Sequence, residues 1–414
     1  MTNIPIILRR LATTREKRTG KGTIHYDNGD VYDGEFSNDK KHGIGKMTYK
    51  DGRVSEGIWQ KGKIVYDGEL ADGKPHGRGK RMYSDGVYEG DWTNGSRNGT
   101  GTYKWADGGL YEGEWKNDKK NGKGAFKYSD GSSYEGEWKD GLRDGKGTYK
   151  WLSGEIYEGE WKDGEEHGKG TFKFSNGGVY KGEWRNANRN GKGTHKWICG
   201  HVFEGEYRDD KRHGRGTSTH PDGHVFEGQY RDDKRHGKGT YKYPDGTVMY
   251  DGEWKNGLMH GNGTYNYENG DVYTGEWSQD SMHGKGVMNY ANQDVYDGEW
   301  KDGCKDGKGT MKFHNGDVYE GEFSDDKMHG RGTFVYAAGD IVKSTGEWKE
   351  GKKIGFFEDV VNVRVCKQVY YDDDDEDDEL KAKSNAKRKA ASDEDTDVDD
   401  APPGKRRNVC VSPP

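Results

Sequence analysis

A phrase of the type aromatic-x-Gly-acid-aromatic returns along almost the whole chain, and no other feature constrains the fold as much. It starts at Tyr32, Tyr66, Tyr88, Tyr111, Tyr134, Tyr157, Tyr180, Phe203, Phe226, Tyr250, Tyr273, Tyr296 and Tyr319, with weaker copies at Ser55 and Ser344. Most steps are 23 residues. The step from Ser55 to Tyr66 is 11, so one repeat has lost a strand and its loop. The step from Phe226 to Tyr250 is 24, which predicts a bulge in "TVMY".

Each repeat holds two runs of period two, the signature of strands and not of helices. In the first run Tyr134, Gly136 and Trp138 share one face, and Glu135 and Glu137 the other. In the second, Gly145, Gly147, Tyr149 and Trp151 lie opposite Lys146, Thr148 and Lys150. "YPDGT" at Tyr243–Thr247 fits a three-residue hairpin loop closed by a left-handed glycine. "KDGLRD" reads as a longer link inside the repeat. The resulting meander pairs Tyr134 with Tyr149, Gly136 with Gly147 and Glu137 with Lys146, then Tyr149 with Tyr157 and Gly147 with Gly159. Composition agrees with such a thin aromatic layer. Apolar residues are 29% of the chain, against about 45–50% in ordinary domains, while Gly is 68 of 414.

At this point "YEGEWKDGLRDGKGTYKW" resembles the MORN (membrane occupation and recognition nexus) repeat, over residues 20–355. The resemblance implies an all-β, elongated antiparallel meander of about fourteen hairpin repeats, curved into a trough or ribbon. Strand spacing makes such a ribbon on the order of 130 Å long. It also implies an assembly or anchoring module, with any enzyme domain elsewhere. Residues 1–19 read as a cap or flexible lead, 356–371 as capping strands, and 372–414 as a disordered tail.

Chemistry finds little purchase in this pattern. His42, His76, His167, His213, His236, His260, His283 and His329 precede the first Gly of Gly-x-Gly, but Asn98, Asn121, Asp144, Asn190 and Asp306 fill the same slot. The shared property is tolerance of positive φ, so the slot reads as a turn position and not as zinc ligands. "GLRDGKGT" lacks the spacing and hydroxyl of a phosphate loop. No calcium-loop pattern, nucleophile with partners, or special carboxylate pair is visible. The expectation is no enzyme, no cofactor and no metal.

Net charge is −7, and residues 372–414 with 14 acids and 8 bases account for −6 of it, so the repeats are balanced and no nucleic acid partner is expected. Cys199, Cys304, Cys366 and Cys410 have no metal or redox spacing, which suits a reducing compartment. No stretch is long and apolar enough for a membrane helix, and "IPIIL" is short for a secretory signal.

The function that follows is a non-enzymatic scaffold for assembly or cytoskeletal anchoring, in the cytoplasm. It would bind proteins through an aromatic trough containing Tyr134, Trp138, Tyr149, Trp151, Tyr157 and Trp161, or across its charged ladder. Homo-oligomers are compatible with it. A second reading is recruitment to acidic, phosphoinositide-bearing membranes through Lys211, Arg212, Arg215, Lys234, Arg235 and Lys238, opposed by Asp209, Asp210, Asp232 and Asp233. A third is a targeting subunit for a nuclear enzyme. Its basis is a two-part import signal, Lys387, Arg388 and Lys389 with Lys405, Arg406 and Arg407, beside phosphorylation-like sites at Ser392, Thr396 and Ser412. A solubilising tail explains the same residues.

Overall fold

The computed structural model describes residues 16–361 and the strand Val365–Tyr370. Among these residues all regular structure is strand, in pieces of six to ten residues. The chain falls into two units, residues up to Asn176 with Glu183–Ala187, and Gly177–Gly182 with the residues from Asn188 onward. The first unit is an antiparallel meander from Gly20–His25 to Glu165–Lys173. The second is a meander of the same kind from Asn188–Lys196 to Val365–Tyr370. The lead, the import signal and the phosphorylation-like sites all fall at least partly outside the described residues: 1–15, Lys387–Lys389, Lys405–Arg407, Ser392, Thr396 and Ser412.

The expected register holds at its centre. Tyr134 faces Tyr149 and Gly136 faces Gly147; Tyr149 then faces Tyr157 and Gly147 faces Gly159. Glycine is required there because the Tyr134 ring lies flat on the backbone. A Cβ on Gly147 would sit 2.6 Å from the ring atom Cε2, and one on Gly136 2.5 Å from the Gly147 Cα. The Tyr134 hydroxyl donates to the Glu137 carbonyl at 2.9 Å. The Trp138 indole donates to the Gly124 carbonyl of the preceding repeat at 3.0 Å. Each aromatic therefore closes its own strand end or stitches one repeat to the next.

Two local expectations change. The Glu137–Lys146 pair is not formed. Past Gly136 the second strand carries two extra residues, with Gly145 left-handed at φ +101°. Glu137 instead stands opposite Lys123 of the preceding repeat, and Lys146 opposite Glu160 of the following one. In equivalent bulges the acid accepts a backbone N–H, as Glu114 does from Lys123 at 2.8 Å and Glu276 from Lys285 at 3.0 Å. The link "KDGLRD" is not long: strand ends at Lys139, Asp140 and Gly141 turn with φ of +52° and +93°, and strand resumes at Leu142. Two left-handed residues match the twist of the flanking strands. The loop "YPDGT" has the expected form, with Gly246 at φ +88° and its N–H donating to the Tyr243 carbonyl at 2.9 Å. The bulge in "TVMY" is present between Tyr241 and Lys242.

The larger correction concerns the faces. At the short step, Val54–Gln60 turns through Lys61 and Gly62 directly into Lys63–Ala71, another strand of the first type. Trp59 pairs with Ile64, but Ile58 pairs with Tyr66, so one extra residue separates the two. An odd slip sends every following side chain to the opposite face, whereas the two-residue bulges of the other repeats preserve it. Tyr66 thus lies on the side of Ile58, opposite Trp59. The Ser55 hydroxyl, on the aromatic side of its strand, donates to Asp67 at 3.0 Å, a residue of the polar side of the next strand. Tyr32, Phe36, Met47 and Trp59 accordingly form a cluster with Ile24, Tyr49 and Ile64. On the reverse face Ile44 and Ile58 are paired where other repeats carry Lys and Glu.

Candidate functional site

A sheet without a second layer must cover its own rings. Tyr134 is 1% exposed, Trp138 4%, Tyr157 0% and Trp161 3%. Tyr134 meets Trp138 edge-on at 5.0 Å and Trp161 of the next repeat at 5.3 Å. These four are core, with little surface left to offer a partner. Tyr149 and Trp151 are only half-buried and meet at 4.5 Å with their planes tilted by 52°.

The rings are completed by a column of side chains that the sequence reading took for loop. In several repeats the second residue after the tight turn lies over an aromatic ring of the following repeat. Arg97 is 4.3 Å from the Trp115 ring, Lys120 4.0 Å from Trp138, and Arg143 4.2 Å from Trp161. Burial pushes the Lys120 ammonium down to about 8. Methionine fills the slot at Met259, Met282 and Met328, and an acid at Glu166. The column repeats with the 23-residue period, but a charged residue beside a turn has the same sequence pattern whether it is covered or solvated.

This column claims two of the six basic residues proposed for lipid. Arg212 lies 5.3 Å from the Tyr230 ring and pairs with Asp233 at 3.3 Å. Arg235 is 6% exposed and 4.5 Å from the Trp254 ring. Lys211, Arg215, Lys234 and Lys238 remain exposed. At the tips Arg208 stands opposite Lys211, and Arg231 opposite Lys234. Gln229 occupies the ladder position beside Arg215 that in most repeats carries an acid.

The slot before Gly-x-Gly is not itself left-handed; the glycine after it is, as at Gly214 with φ +64°. Its side chain reaches the next tight turn. Asn98 accepts the Asn117 N–H at 3.0 Å, and His213 Nδ1 lies 3.9 Å from Asp232. Among the described residues no group of three His, Cys, Asp or Glu is placed to hold a metal ion. A different histidine group escaped the sequence reading. His195, Trp197, His201 and His220 replace the second aromatic stripe as a stack with spacings of 3.8, 4.5 and 5.0 Å. Burial, then Arg189, holds His195 down at about 4.

What faces solvent is the charged ladder. Lys80 pairs with Glu89 at 3.1 Å and Lys242 with Glu227 at 2.8 Å. In the first unit Glu112, Glu135 and Glu158 form an exposed acidic row beside exposed Lys104, Lys127, Lys150 and Lys173. A groove of about 990 Å³ runs on this face past Lys80, Glu89, Thr102, Lys104 and Glu112.

Comparison with curated proteins finds no match. Among solved structures, the SAS-4 (dCPAP) TCP domain of Drosophila melanogaster, in complex with a proline-rich motif of Ana2 (dSTIL), is 12% identical, with 36% of this chain and 81% of that chain covered and a TM-score of 0.24. The TCP10 domain of Danio rerio CPAP, in complex with a STIL peptide, is 10% identical, with coverage of 59% and 92% and a TM-score of 0.19. A virginiamycin B lyase of Staphylococcus aureus is 12% identical, with coverage of 71% and 91% and a TM-score of 0.12. These likenesses are too slight to bear on function. The MORN repeat model matches residues 17–31, 32–52, 66–87, 88–110, 111–133, 134–156, 157–179, 180–198, 203–225, 226–248, 250–272, 273–295, 296–318 and 319–341. With fourteen matches across most of its length, this chain belongs to the MORN repeat family.

Proposed function

We propose that the chain is a non-enzymatic scaffold that binds a protein partner across its charged ladder face. Repeats of this family are protein-interaction modules, and one observation selects the face: the Tyr and Trp rings are consumed as core, whereas Glu135, Lys146, Glu158 and Lys169 are exposed in register. Alternating fixed charges give specificity and orientation more than raw affinity. The groove past Lys80 and Glu112 is lined by charged residues of the same ladder. The cytoplasm is the compartment that suits free thiols such as Cys199.

The test is charge reversal of Glu135, Lys146, Glu158 and Lys169 together in the full chain. Captured partners should be lost while circular dichroism and melting temperature stay unchanged. Capture that survives the reversal would move the interaction to another face or end.

A second reading is favoured by the paired basic tips around Lys211 and Lys234 and by Gln229. Four exposed bases at ~1 kcal/mol per charge would give weak, salt-sensitive membrane attraction. Sedimentation with phosphoinositide vesicles separates the readings. Tight binding lost in a Lys211, Arg215, Lys234 and Lys238 to Ala variant, with no captured protein, would favour membrane recruitment.

A further inference from the structure

The strand Gly20–His25 is built as the second half of a hairpin, and its first half has no counterpart among the described residues. Its sequence GKGTIH matches GKGTYK at Gly145–Lys150. Arg18 lies 4.9 Å over the Phe36 ring, as Arg143 lies over Trp161. The Arg18 N–H donates to Asp39 at 2.8 Å, as that of Arg97 does to Asp118 at 2.9 Å. On one side the strand pairs with Val31–Ser37, Gly22 facing Gly34 and Ile24 facing Tyr32. Among the described residues no strand pairs with its other side.

That outer side already has the shape of a paired one. Gly20 is left-handed at φ +94°, as Gly145 is at +101° where its strand bulges past Gly136 and Trp138. Lys21 holds the place of Lys123 and Lys285, whose N–H groups donate to an acid of the preceding strand. Strand alternation turns the N–H groups of Lys21, Thr23 and His25 outward. On the aromatic side the backbone of Gly22 is bare. A Cβ there would first meet the Phe36 ring, at an ordinary 3.7 Å. At Gly124 and Gly147 it would lie 2.7 and 2.6 Å from Cε2 of Tyr111 and Tyr134, the tyrosines of the preceding strands.

The residues before Gly20 do not carry the matching phrase. Tyr134, Gly136 and Trp138 stand 13, 11 and 9 positions before Gly147; the same places before Gly22 are Arg9, Leu11 and Thr13. The middle place admits only glycine in such a pair, since a Cβ on Gly136 would sit 2.5 Å from the Gly147 Cα. The phrase strands of this chain, such as Ser133–Lys139, are already paired on both sides.

We propose that the outer side of Gly20–His25 takes up, as an added antiparallel strand, an extended segment of a different protein chain that carries aromatic-x-Gly-acid-aromatic. Its glycine faces Gly22 and its first aromatic faces Ile24, so that the ring lies on Gly22 beside Phe36. Its acid accepts the Lys21 N–H. An open strand edge supplies backbone hydrogen bonds to any extended chain, and the bare glycine selects the aromatic. The proposal goes beyond the ladder reading and does not rest on it, because it uses the end of the sheet and not its charged face.

The test uses the full chain and a fluorescein-labelled peptide of the sequence Ser133–Lys139. Its anisotropy should rise saturably, and hydrogen exchange should slow at the Lys21 and Thr23 amides but not in Val365–Tyr370. Peptides carrying Tyr134→Ala or Gly136→Val should bind about tenfold more weakly or worse, the scale of losing a central aromatic contact. In the chain, Gly22→Val fills the seat and should abolish binding. Its side chain meets Phe36 at ordinary contact, so the melting temperature should stay unchanged; Gly22→Ala, smaller still, serves if the Val variant melts early. No saturable binding, binding that survives both Gly22 variants, or equal binding of the three peptides would each overturn the proposal. So would slow exchange at Lys21 and Thr23 in the chain alone, and light scattering would then tell a second copy on that edge from residues 8–14 of the same chain.

Discussion

The glycine under each tyrosine is the residue on which the repeat depends most. Gly147→Val puts methyl groups into the Tyr134 ring, and overpacking of that kind costs about 1–3 kcal/mol. Lys150→Ala removes an exposed side chain, and its effect should stay within about 0.5 kcal/mol. Chemical denaturation of the two variants decides; equal midpoints would mean the ring does not lie on that backbone. The cation slot gives a second comparison. Arg235→Ala leaves a void under Trp254 and should cost about 2 kcal/mol, whereas Arg235→Met should be nearly neutral because Met259 and Met282 serve in the same position. If both variants melt alike, the guanidinium itself and not its volume holds the ring. The sequence announced the glycines, since their period matched that of the tyrosines. It hid the cations, because a charged residue near a turn is ordinarily a solvated one.

At the level of strands, two turns and one bulge decide the geometry. Asp140 and Gly141 both sit in the left-handed region, where a β-branched residue costs roughly 1–2 kcal/mol; Gly141→Val should show that loss in a thermal melt. The bulge between Trp59 and Tyr66 is the more consequential element. Deleting Val65 restores an even register and would send Tyr66 to the side of Trp59. The Tyr66 ring and the Ile44–Ile58 pair would then lose their neighbours. Hydrogen exchange should accelerate across 20–64 and remain slow from Leu110 onward, since repeats are coupled mainly to their neighbours. Unchanged protection of 20–64 would show that the bulge does not set the faces. The missing strand was legible as a step of 11 residues. The reversal of faces was not, because it depends on one residue of slip that spacing cannot distinguish from an even one.

For the molecule as a whole, the buried phenols set the response to pH. Burial pushes Tyr32 and Tyr66 up to about 12 and raises Tyr134, Tyr157 and Tyr273 further, with nearby glutamates adding to the effect. A folded value above the unfolded one means folding favours the neutral phenol. That contribution is complete below the unfolded value near ~10 and is lost as pH rises through the folded values. Stability should therefore hold to about pH 10 and fall steeply beyond it. Tyrosinate absorbance in the native protein should lag that of the urea-unfolded chain; coincident titrations would mean the rings are not shielded.

By itself the sequence determined the strand class, the order of hairpins, the central Tyr–Gly register and the family, because each repeats with a fixed period and a period-two pattern admits one backbone. Only the tertiary structure decided which side chains are surface. Tyr134 and Trp138 carry the pattern of an exposed aromatic face, yet a lone sheet buries Tyr134 under Trp161 of the next repeat and Arg143, and Trp138 under Lys120 and Tyr111 of the preceding one. The same contact between repeats removes Arg235 from solvent. Burial belongs to neighbours that meet across strands, and residues so far apart in the chain acquire it only once the sheet has formed.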